Sequence, residues 1–291
     1  MNLTKQLAAS AALFTFLSAS AGNLWIIGEA TPYGWSTDDA TALLSTPESP
    51  DVFTGTIYLE ADRNFKFMLT KDFGGDEYGM AVGATPADGV YPLAGGREDQ
   101  GYEQLKVSES ANYLISVNTT DMSASIVKSA YQDEPIKLAS LFMVGSATEG
   151  GWSVDEGTPL YQIAETPYEF ASNNVSLNAG TFKIATVIKG GGTWDNRYWY
   201  YRSTEDPAKI ALGQAGDEQW TIDNGGYYDI KVNLQTSAIS ITESDDTGTL
   251  VINPSLDETP RYWTLDGVEV NNPTKGLYIR RVGDRVEKVI L

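Results

Sequence analysis

The chain of 291 residues contains no cysteine and no histidine. Without cysteine, disulfides, thiol nucleophiles and thiolate metal sites are excluded. Without histidine, the commonest general base, every serine–histidine catalytic arrangement and the usual zinc ligands are excluded as well. The sequence also has no P-loop, no dinucleotide-binding glycine motif and no calcium-loop pattern. We therefore predict no catalytic residue, no metal site and no cofactor, and these absences favour a binding function over catalysis.

Basic residues are also scarce, with 20 Lys and Arg against 39 Asp and Glu and a formal charge of −19. A surface this acidic repels nucleic acid and anionic lipid headgroups. We therefore predict no nucleic-acid partner. Solubility of an exported protein explains the acidity more simply than an acidic binding function does.

The one long apolar run, Leu7 to Leu17, is too short to span a bilayer. It follows Lys5 and precedes the small-x-small sequence Ala19–Ala21, as in a cleaved secretory signal. We predict that residues 1–21 are a signal peptide, that Gly22 becomes the N-terminus and that no transmembrane segment is present. Because no cysteine follows, we expect no lipid anchor there. The predicted location is the cell surface, the outer membrane or the extracellular space, with the periplasm as an alternative.

What the chain does contain is a tandem repeat. The segment LWIIGEATPYGWS near the N-terminus returns as LFMVGSATEGGWS from Leu141. In both copies seven residues separate the first Gly from the Trp, and thirty more separate that Trp from the Phe of a later FKF-like strand. The matched pairs are Trp35 with Phe65 and Trp152 with Phe182. Matched residues at matched spacings predict two similar domains.

Short apolar runs bounded by Gly, Pro and Asp predict β-strands in both copies. The predicted strands are 24–28, 53–59, 64–69, 113–118 and 123–128 in the first copy, and 141–145, 175–177, 181–186, 228–234 and 238–242 in the second. Residues 72–101 have little pattern and predict long loops, and no segment has a helical period. Seven or more short strands in about a hundred residues predict an all-β fold of two tandem β-sandwich domains.

The predicted domains are separated by acidic, polar stretches that are typical of linkers, at 131–135 and 243–248. The predicted organisation is signal peptide 1–21, first sandwich module 22–130, second sandwich module 136–243 and a small C-terminal β unit or sorting tail at 249–291. In the last segment, Asp266-Gly267 and Gly283-Asp284 predict hairpin turns.

The candidate site follows from the strand alternation. In each FKF-like strand the Phe enters the core, so we predict Lys66 and Lys183 at the surface on the opposite face. Sugars present flat C–H faces that pack on aromatic rings and hydroxyls that need fixed donors, so aromatic residues beside Lys or Arg indicate a carbohydrate site. The candidate ligand-binding residues are Trp152, Lys183, Trp194, Arg197, Trp199 and Tyr201 in the second copy, and Trp35, Lys66 and Tyr78 in the first.

Several of these aromatic residues are also compatible with a core. Trp35 and Trp152 each follow a Gly-rich loop and could be core or site. Trp199 and Tyr201 alternate on one strand face and leave the same two possibilities. Trp194 follows three glycines, which favours exposure. With Lys183 at the surface, Lys183→Ala is expected to weaken binding with little loss of stability.

The segments GEATPYGWS and GSATEGGWS, each followed by an FKF-type strand and a closing YxIxVN hairpin, resemble the SusE/SusF outer-membrane starch-binding proteins of Bacteroidetes. The resemblance covers about residues 24–128 and 141–242. It implies tandem immunoglobulin-like or starch-binding modules, non-catalytic, that hold α-glucan near the cell surface. It also implies an arc of aromatic rings with a Lys or Arg that bonds sugar hydroxyls. Other outer-membrane glycan-uptake proteins are candidate partners.

The resemblance places the site at Trp152, Lys183 and Trp194, with Trp35 and Lys66 in the first copy. Glu77 stands at the spacing where the second copy has Trp194, so we expect the second copy to bind more tightly. The C-terminal segment resembles the short sorting tails of secreted proteins from the same bacteria. Two other functions stay open: a structural or assembly protein whose sandwiches bind protein, and a glycosidase or enzyme accessory with an unrecognised carboxylate pair.

Overall fold

The computed structural model describes residues 22–73, 75–96, 101–188, 194–213 and 216–244, and the short stretches 261–264, 269–270, 275, 277–282 and 285–290. The predicted signal peptide and most of the second predicted linker lie outside these ranges. Within the part of the chain that the structure describes, no helix is long and apolar enough to cross a membrane.

Nine strands of the first copy form one antiparallel sheet. They are β1 (Asn23–Ile27), β2 (Ala42–Thr46), β3 (Ser49–Leu59), β4 (Lys66–Met68), β5 (Glu77–Ala81), β6 (Val90–Gly95), β7 (Tyr102–Glu103), β8 (Ala111–Asn118) and β9 (Ser123–Lys128). Across the sheet the order is β4-β1-β2-β3-β8-β9-β6-β5, and β5 also pairs with β4, so eight strands close into a ring. Inside it, Phe65, Phe67, Ile57 and Ile115 belong to the first core.

The second copy repeats this arrangement. Its strands are β10 (Ser140–Val144), β11 (Thr158–Gln162), β12 (Glu169–Leu177), β13 (Gly180–Ala185), β14 (Trp199–Arg202), β15 (Ile210–Leu212), β16 (Trp220–Ile222), β17 (Gly226–Asn233) and β18 (Ala238–Glu243). The order is β15-β14-β13-β10-β11-β12-β17-β18, with β16 on β13, and a bridge between Lys209 and Ala238 joins the two ends. The same strand order in both copies agrees with the repeat in the sequence.

A third, four-stranded sheet forms near the C-terminus from β19 (Arg261–Trp263), β20 (Glu269–Val270), β21 (Leu277–Val282) and β22 (Arg285–Ile290). The predicted turns Asp266-Gly267 and Gly283-Asp284 lie outside the described residues, but the strands on either side of each pair antiparallel. With strands in all three parts of the chain, the prediction of an all-β fold is confirmed.

The prediction of long loops over 72–101 is wrong, because β5 and β6 lie there. The glycine that interrupts the apolar pattern of β5 has a packing role. A Cβ on Gly79 would come within 2.1 Å of the Tyr102 ring, so only glycine lets β7 approach this closely. Glycine therefore occurs here inside a strand, where the sequence pattern suggested a loop.

The two closed sheets share an apolar layer built from matching outer faces. Leu24 of β1 faces the first core, whereas Trp25 and Ile27 face outward. The residues at the same repeat positions in β10, Phe142 and Val144, meet them in one buried cluster. Burial of each such side chain stabilises by about 1.5–3 kcal/mol, so the junction between the copies is a true packed interface.

The polar groups of the junction are also bonded. The Gln162 amide accepts from the Thr56 backbone N–H at 2.5 Å and donates to the Thr56 and Leu138 carbonyls at 3.1 and 3.0 Å. The predicted linker 131–135 is held as well, since the buried Asn112 side chain donates to two of its carbonyls. The segment that joins the two sheets is therefore part of the bonded junction.

Candidate functional site

Lys183 and Lys66 project from the outer faces of β13 and β4, opposite the Phe side chains that enter the cores. This direction is the predicted one. The predicted surface position is wrong, because each lysine side chain is only 7% exposed. Aromatic side chains from other segments cover both lysines, which strand alternation cannot anticipate.

Four aromatic rings surround the Lys183 ammonium. The Nζ atom lies 5.6 Å from the ring centroids of both Trp152 and Trp194, 4.6 Å from that of Trp199 and 5.0 Å from that of Tyr201. At such distances the negative faces of the rings attract the cation. The structure thus brings together five of the six predicted residues of the second copy.

These rings form two layers. Trp199 and Tyr201 are fully buried in the junction between the sheets. Above them Trp152 is 38% and Trp194 53% exposed, so the predicted exposure of Trp194 is confirmed. Trp194 stacks on Trp199 with centroids 5.0 Å apart and planes at 21°. The rings of Trp152 and Trp194 lie 6.5 Å apart and are inclined by 42°, and we call this exposed pair the tryptophan platform.

Asp217 completes this arrangement. Its Oδ1 accepts from Lys183 Nζ at 2.6 Å, and its side chain is 62% exposed. The hydrogen bond from Lys183 holds the pKa of Asp217 below its usual value, helped by the lysine charge and a bond from Gln219 and opposed by partial burial. An ammonium has three donors. Among the described residues, Asp217 is the one hydrogen-bond acceptor of Lys183, and the four rings surround the rest of the ammonium.

The first copy has a smaller version of this site. Lys66 Nζ lies 5.8 Å from the ring centroid of Trp35 and 5.3 Å from that of Phe73. Phe73 is exposed and Trp35 is half-buried. Below them, Glu77 Oε2 accepts from Lys66 Nζ at 2.7 Å and from the hydroxyl of the fully buried Tyr102 at 2.5 Å.

Strand register corrects the sequence alignment of the two sites. By spacing, Glu77 matched Trp194. In the structure β4–β5 pairs Met68 with Glu77, while β13–β14 pairs Ala185 with Trp199, so Glu77 and Trp199 correspond. Nine positions separate the first pair and fourteen the second, so the second copy carries a longer connection, and Trp194 lies within it.

Two predicted residues lie apart from these clusters. Tyr78, the neighbour of Glu77 on β5, packs against the first core, whereas Glu77 bonds Lys66. Arg197 faces the junction, where its guanidinium donates to the Tyr198 hydroxyl and lies 3.7 Å from Asp39 Oδ1. The local cause is a 3-10 turn over Asn196–Tyr198, which starts with Asp195 Oδ1 accepting from the Arg197 backbone N–H.

Sequence reasoning missed Asp217, Glu77 and Tyr102 as partners of the lysines. Asp217 lies in an irregular segment just before β16, where the sequence pattern predicts no element. The repeat marks Glu77 only by its spacing. A usable signal is its position as the first residue of β5, the strand that pairs with β4.

No protein-family model matches this chain. No curated protein sequence matches it either. Among solved structures, the chain is similar to the crystal structure of SusF from Bacteroides thetaiotaomicron, with 19% sequence identity and a TM-score of 0.31. The match covers 75% of this chain and 47% of that one, so this chain spans less than half of that protein's length. At this level of similarity the site has to be interpreted from its own geometry.

Proposed function

We propose that this chain is a non-catalytic carbohydrate-binding protein that holds α-glucan on the tryptophan platform. The observation that carries the proposal is the meeting of Trp152 and Trp194, both exposed, over the ammonium of Lys183. A sugar ring needs a flat apolar surface and fixed hydrogen-bond donors at its edge, and this arrangement offers both.

The platform is preorganised, which lowers the ordering cost of binding. Trp194 rests on the buried Trp199, and Lys183 is held among four rings. The Asp217 carboxylate balances the lysine charge in the free protein. Because Asp217 is exposed, it can turn towards water and leave the ammonium to the hydroxyls of a sugar.

The inclination of the two rings favours an α-linked chain. Successive sugars of an α-1,4-glucan turn relative to one another, so their faces meet aromatic planes that form an arc. A flat, β-linked chain would be met best by coplanar rings. The 42° between Trp152 and Trp194 is therefore a better match for the curved chain.

We also propose that the protein is exported through residues 1–21 and acts at the cell surface beside other glycan-uptake proteins. The support for this part is in the sequence alone: the basic start, the apolar run and the small residues before Gly22. N-terminal sequencing of the protein from its native host tests the cleavage. An intact Met1 in the exported fraction would contradict it.

Affinity electrophoresis in gels with and without starch tests the proposed function. The wild-type chain should be retarded by starch, and Trp152→Ala/Trp194→Ala should not be. Tyr227→Ala serves as the matched control, because Tyr227 is an exposed aromatic residue of β17 outside the platform. Equal migration of wild type with and without starch would favour a protein-binding or assembly function, and release of reducing sugar would favour a glycosidase.

A further inference from the structure

A cleft of about 670 Å³ lies between the two closed sheets, and none of the platform residues lines it. Its walls are rich in tyrosine, with contributions from the first sheet, the joining segment and the second sheet. These tyrosines are Tyr33, Tyr131, Tyr168, Tyr198 and Tyr200. Ligand sites of proteins have volumes of roughly 300–1,000 Å³ and are often found where domains meet, so the cleft has the size and the place of a site.

One part of the cleft carries a charged pair. The exposed Arg197 guanidinium lies 4.4 Å from the Tyr198 ring centroid and 3.7 Å from Asp39 Oδ1. The Tyr198 hydroxyl donates to the same Asp39 oxygen at 2.7 Å, and Ser36 donates to the other at 2.5 Å. Burial alone would raise the pKa of Asp39, but these bonds and the Arg197 and Lys71 charges outweigh it and lower the pKa. Asp39 therefore stays ionised. The Arg197 guanidinium also lies near a second carboxylate, with its Nε 3.8 Å from Asp195 Oδ2, and its five N–H donors exceed the three contacts that it makes.

Elsewhere the cleft offers two hydroxyls. Tyr33 belongs to the first copy, but it packs against the core of the second together with Tyr200. Burial raises the pKa of Tyr200 to about 12 and that of Tyr33 above its usual value, so both remain protonated donors. Neither hydroxyl has a hydrogen-bond partner among the described residues, and both rings are half-buried in the cleft wall.

The wall that the joining segment forms, the predicted linker 131–135, is held in place by hydrogen bonds. The Asn112 amide donates to the carbonyls of Tyr131 and Glu134 at 3.0 and 2.8 Å, and its oxygen accepts from the Ile136 N–H at 2.8 Å. Tyr131 also packs edge-to-face on Tyr168, with ring centroids 5.1 Å apart. The joining segment is thus bonded to the first sheet and packed on the second, so the cleft exists before any ligand arrives.

We infer that this cleft is a second carbohydrate site, which takes a short neutral oligosaccharide. Tyrosine rings would pack on the sugar faces, and Arg197, Asp39 and the hydroxyls of Tyr33 and Tyr200 would bond the sugar edges. A neutral ligand fits because the charges that line the cleft are balanced, with Arg197 and Lys137 against Asp39 and Glu134. The net charge of −19 also disfavours an anion. The ligand class rests on the proposed function, whereas the site is independent of the platform.

The test uses the full chain labelled with 3-fluorotyrosine, in the Trp152→Ala/Trp194→Ala background that removes the platform. Maltotriose is titrated while ¹⁹F spectra are recorded, and Tyr33→Phe and Tyr200→Phe identify the two cleft resonances. We expect both resonances to shift while that of the exposed Tyr227 stays fixed. Arg197→Gln should weaken the apparent affinity about tenfold, as expected for loss of a hydrogen bond from a charged donor.

The outcomes separate this inference from the proposed function. If Tyr33 and Tyr200 do not shift at millimolar maltotriose while the wild-type chain is retarded by starch, the cleft site is wrong and the platform stands. If they shift although starch does not retard the wild type, the cleft site stands alone. Should Arg197→Gln disturb the junction, Arg197→Lys keeps the charge with fewer donors, and unchanged affinity of that folded variant would overturn the assigned role of Arg197.

Discussion

The two copies of the repeat place a lysine at the same position and surround it differently. Lys66 pairs with Glu77, which is 3% exposed and also bonded by Tyr102. Lys183 pairs with Asp217, which is 62% exposed. The same strand position therefore carries a fully internal ion pair in the first copy and, in the second, an ion pair whose carboxylate is exposed to solvent.

A single exchange underlies much of this difference. Where the first copy has Glu77, the second has Trp199. In the first copy the Glu77 carboxylate balances the charge of Lys66 inside the protein. Trp199 is uncharged, so the charge of Lys183 is balanced by ring faces and by the exposed carboxylate of Asp217. Trp199 also supports Trp194 by stacking. This exchange therefore acts together with the longer connection that carries Trp194 and with the exposed Asp217 to make the surroundings of Lys183 different from those of Lys66.

The largest expected effect tests this contrast through stability. Lys66→Met leaves the buried Glu77 carboxyl without its ion-pair partner and with only the Tyr102 hydroxyl bonded to it. Loss of one partner of a buried pair costs about 3–5 kcal/mol. Lys183→Met loses its cation–π contacts and an ion pair whose carboxylate is exposed and can be hydrated instead. We therefore expect a smaller loss, of about 1 kcal/mol. Urea unfolding of the full-length variants measures both.

The control for this prediction is the double variant Lys66→Met/Glu77→Leu, which removes both charges. It should recover most of the stability that Lys66→Met loses, since the cost comes from the orphaned carboxylate. Equal destabilisation by Lys66→Met and Lys183→Met would mean that the two lysines have the same role, and the comparison would fail.

The sequence predicted the direction of these lysines but not their burial. Alternation with Phe65 and Phe182 decides which face each lysine takes, and that is a local property of a strand. Burial depends on Trp35, Phe73, Trp152 and Trp194, which reach the lysines from distant or irregular segments. The expectation that Lys183→Ala would leave stability nearly intact rested on exposure and is replaced by the larger cost given above.

The repeat in the sequence predicted the common strand order of the two sheets but gave the wrong register between their lysine sites. Matched spacings pointed to two similar units, and the strand order of the two closed sheets is the same. The spacing rule failed after β4 and β13, because the second copy has a longer connection there. Pairing between strands, which sets the register, is a long-range property that a spacing rule does not contain. For the same reason, Asp217 and the tyrosine cleft could not be predicted.

The next prediction sharpens the comparison through binding. Trp194→Ala removes the better supported ring of the platform and should weaken maltoheptaose binding about ten- to a hundred-fold, by analogy with base–aromatic stacking of about 1–3 kcal/mol. Phe73→Ala, the matching change beside Lys66, should have a smaller effect, because Phe73 has no counterpart of Trp199 beneath it. Calorimetry on the full chain measures both, and a larger loss for Phe73→Ala would make the first copy the principal site.

The smallest expected effect concerns Asp217, whose pKa the Lys183 hydrogen bond lowers from the usual 3.8. A carboxyl with a depressed pKa stabilises the fold above its unfolded pKa, and this contribution is lost as the pH falls through the lower folded value. Asp217→Asn should therefore cost up to about 1 kcal/mol at neutral pH, as an exposed pair does. The difference from wild type should stay constant down to about pH 4 and shrink below it. Urea unfolding at neutral pH and near pH 3 measures this difference.

Glucan affinity should not fall in the Asp217→Asn variant, because a neutral amide oxygen competes less strongly than a carboxylate for the Lys183 donors. A weaker affinity would mean that the carboxylate itself bonds the sugar.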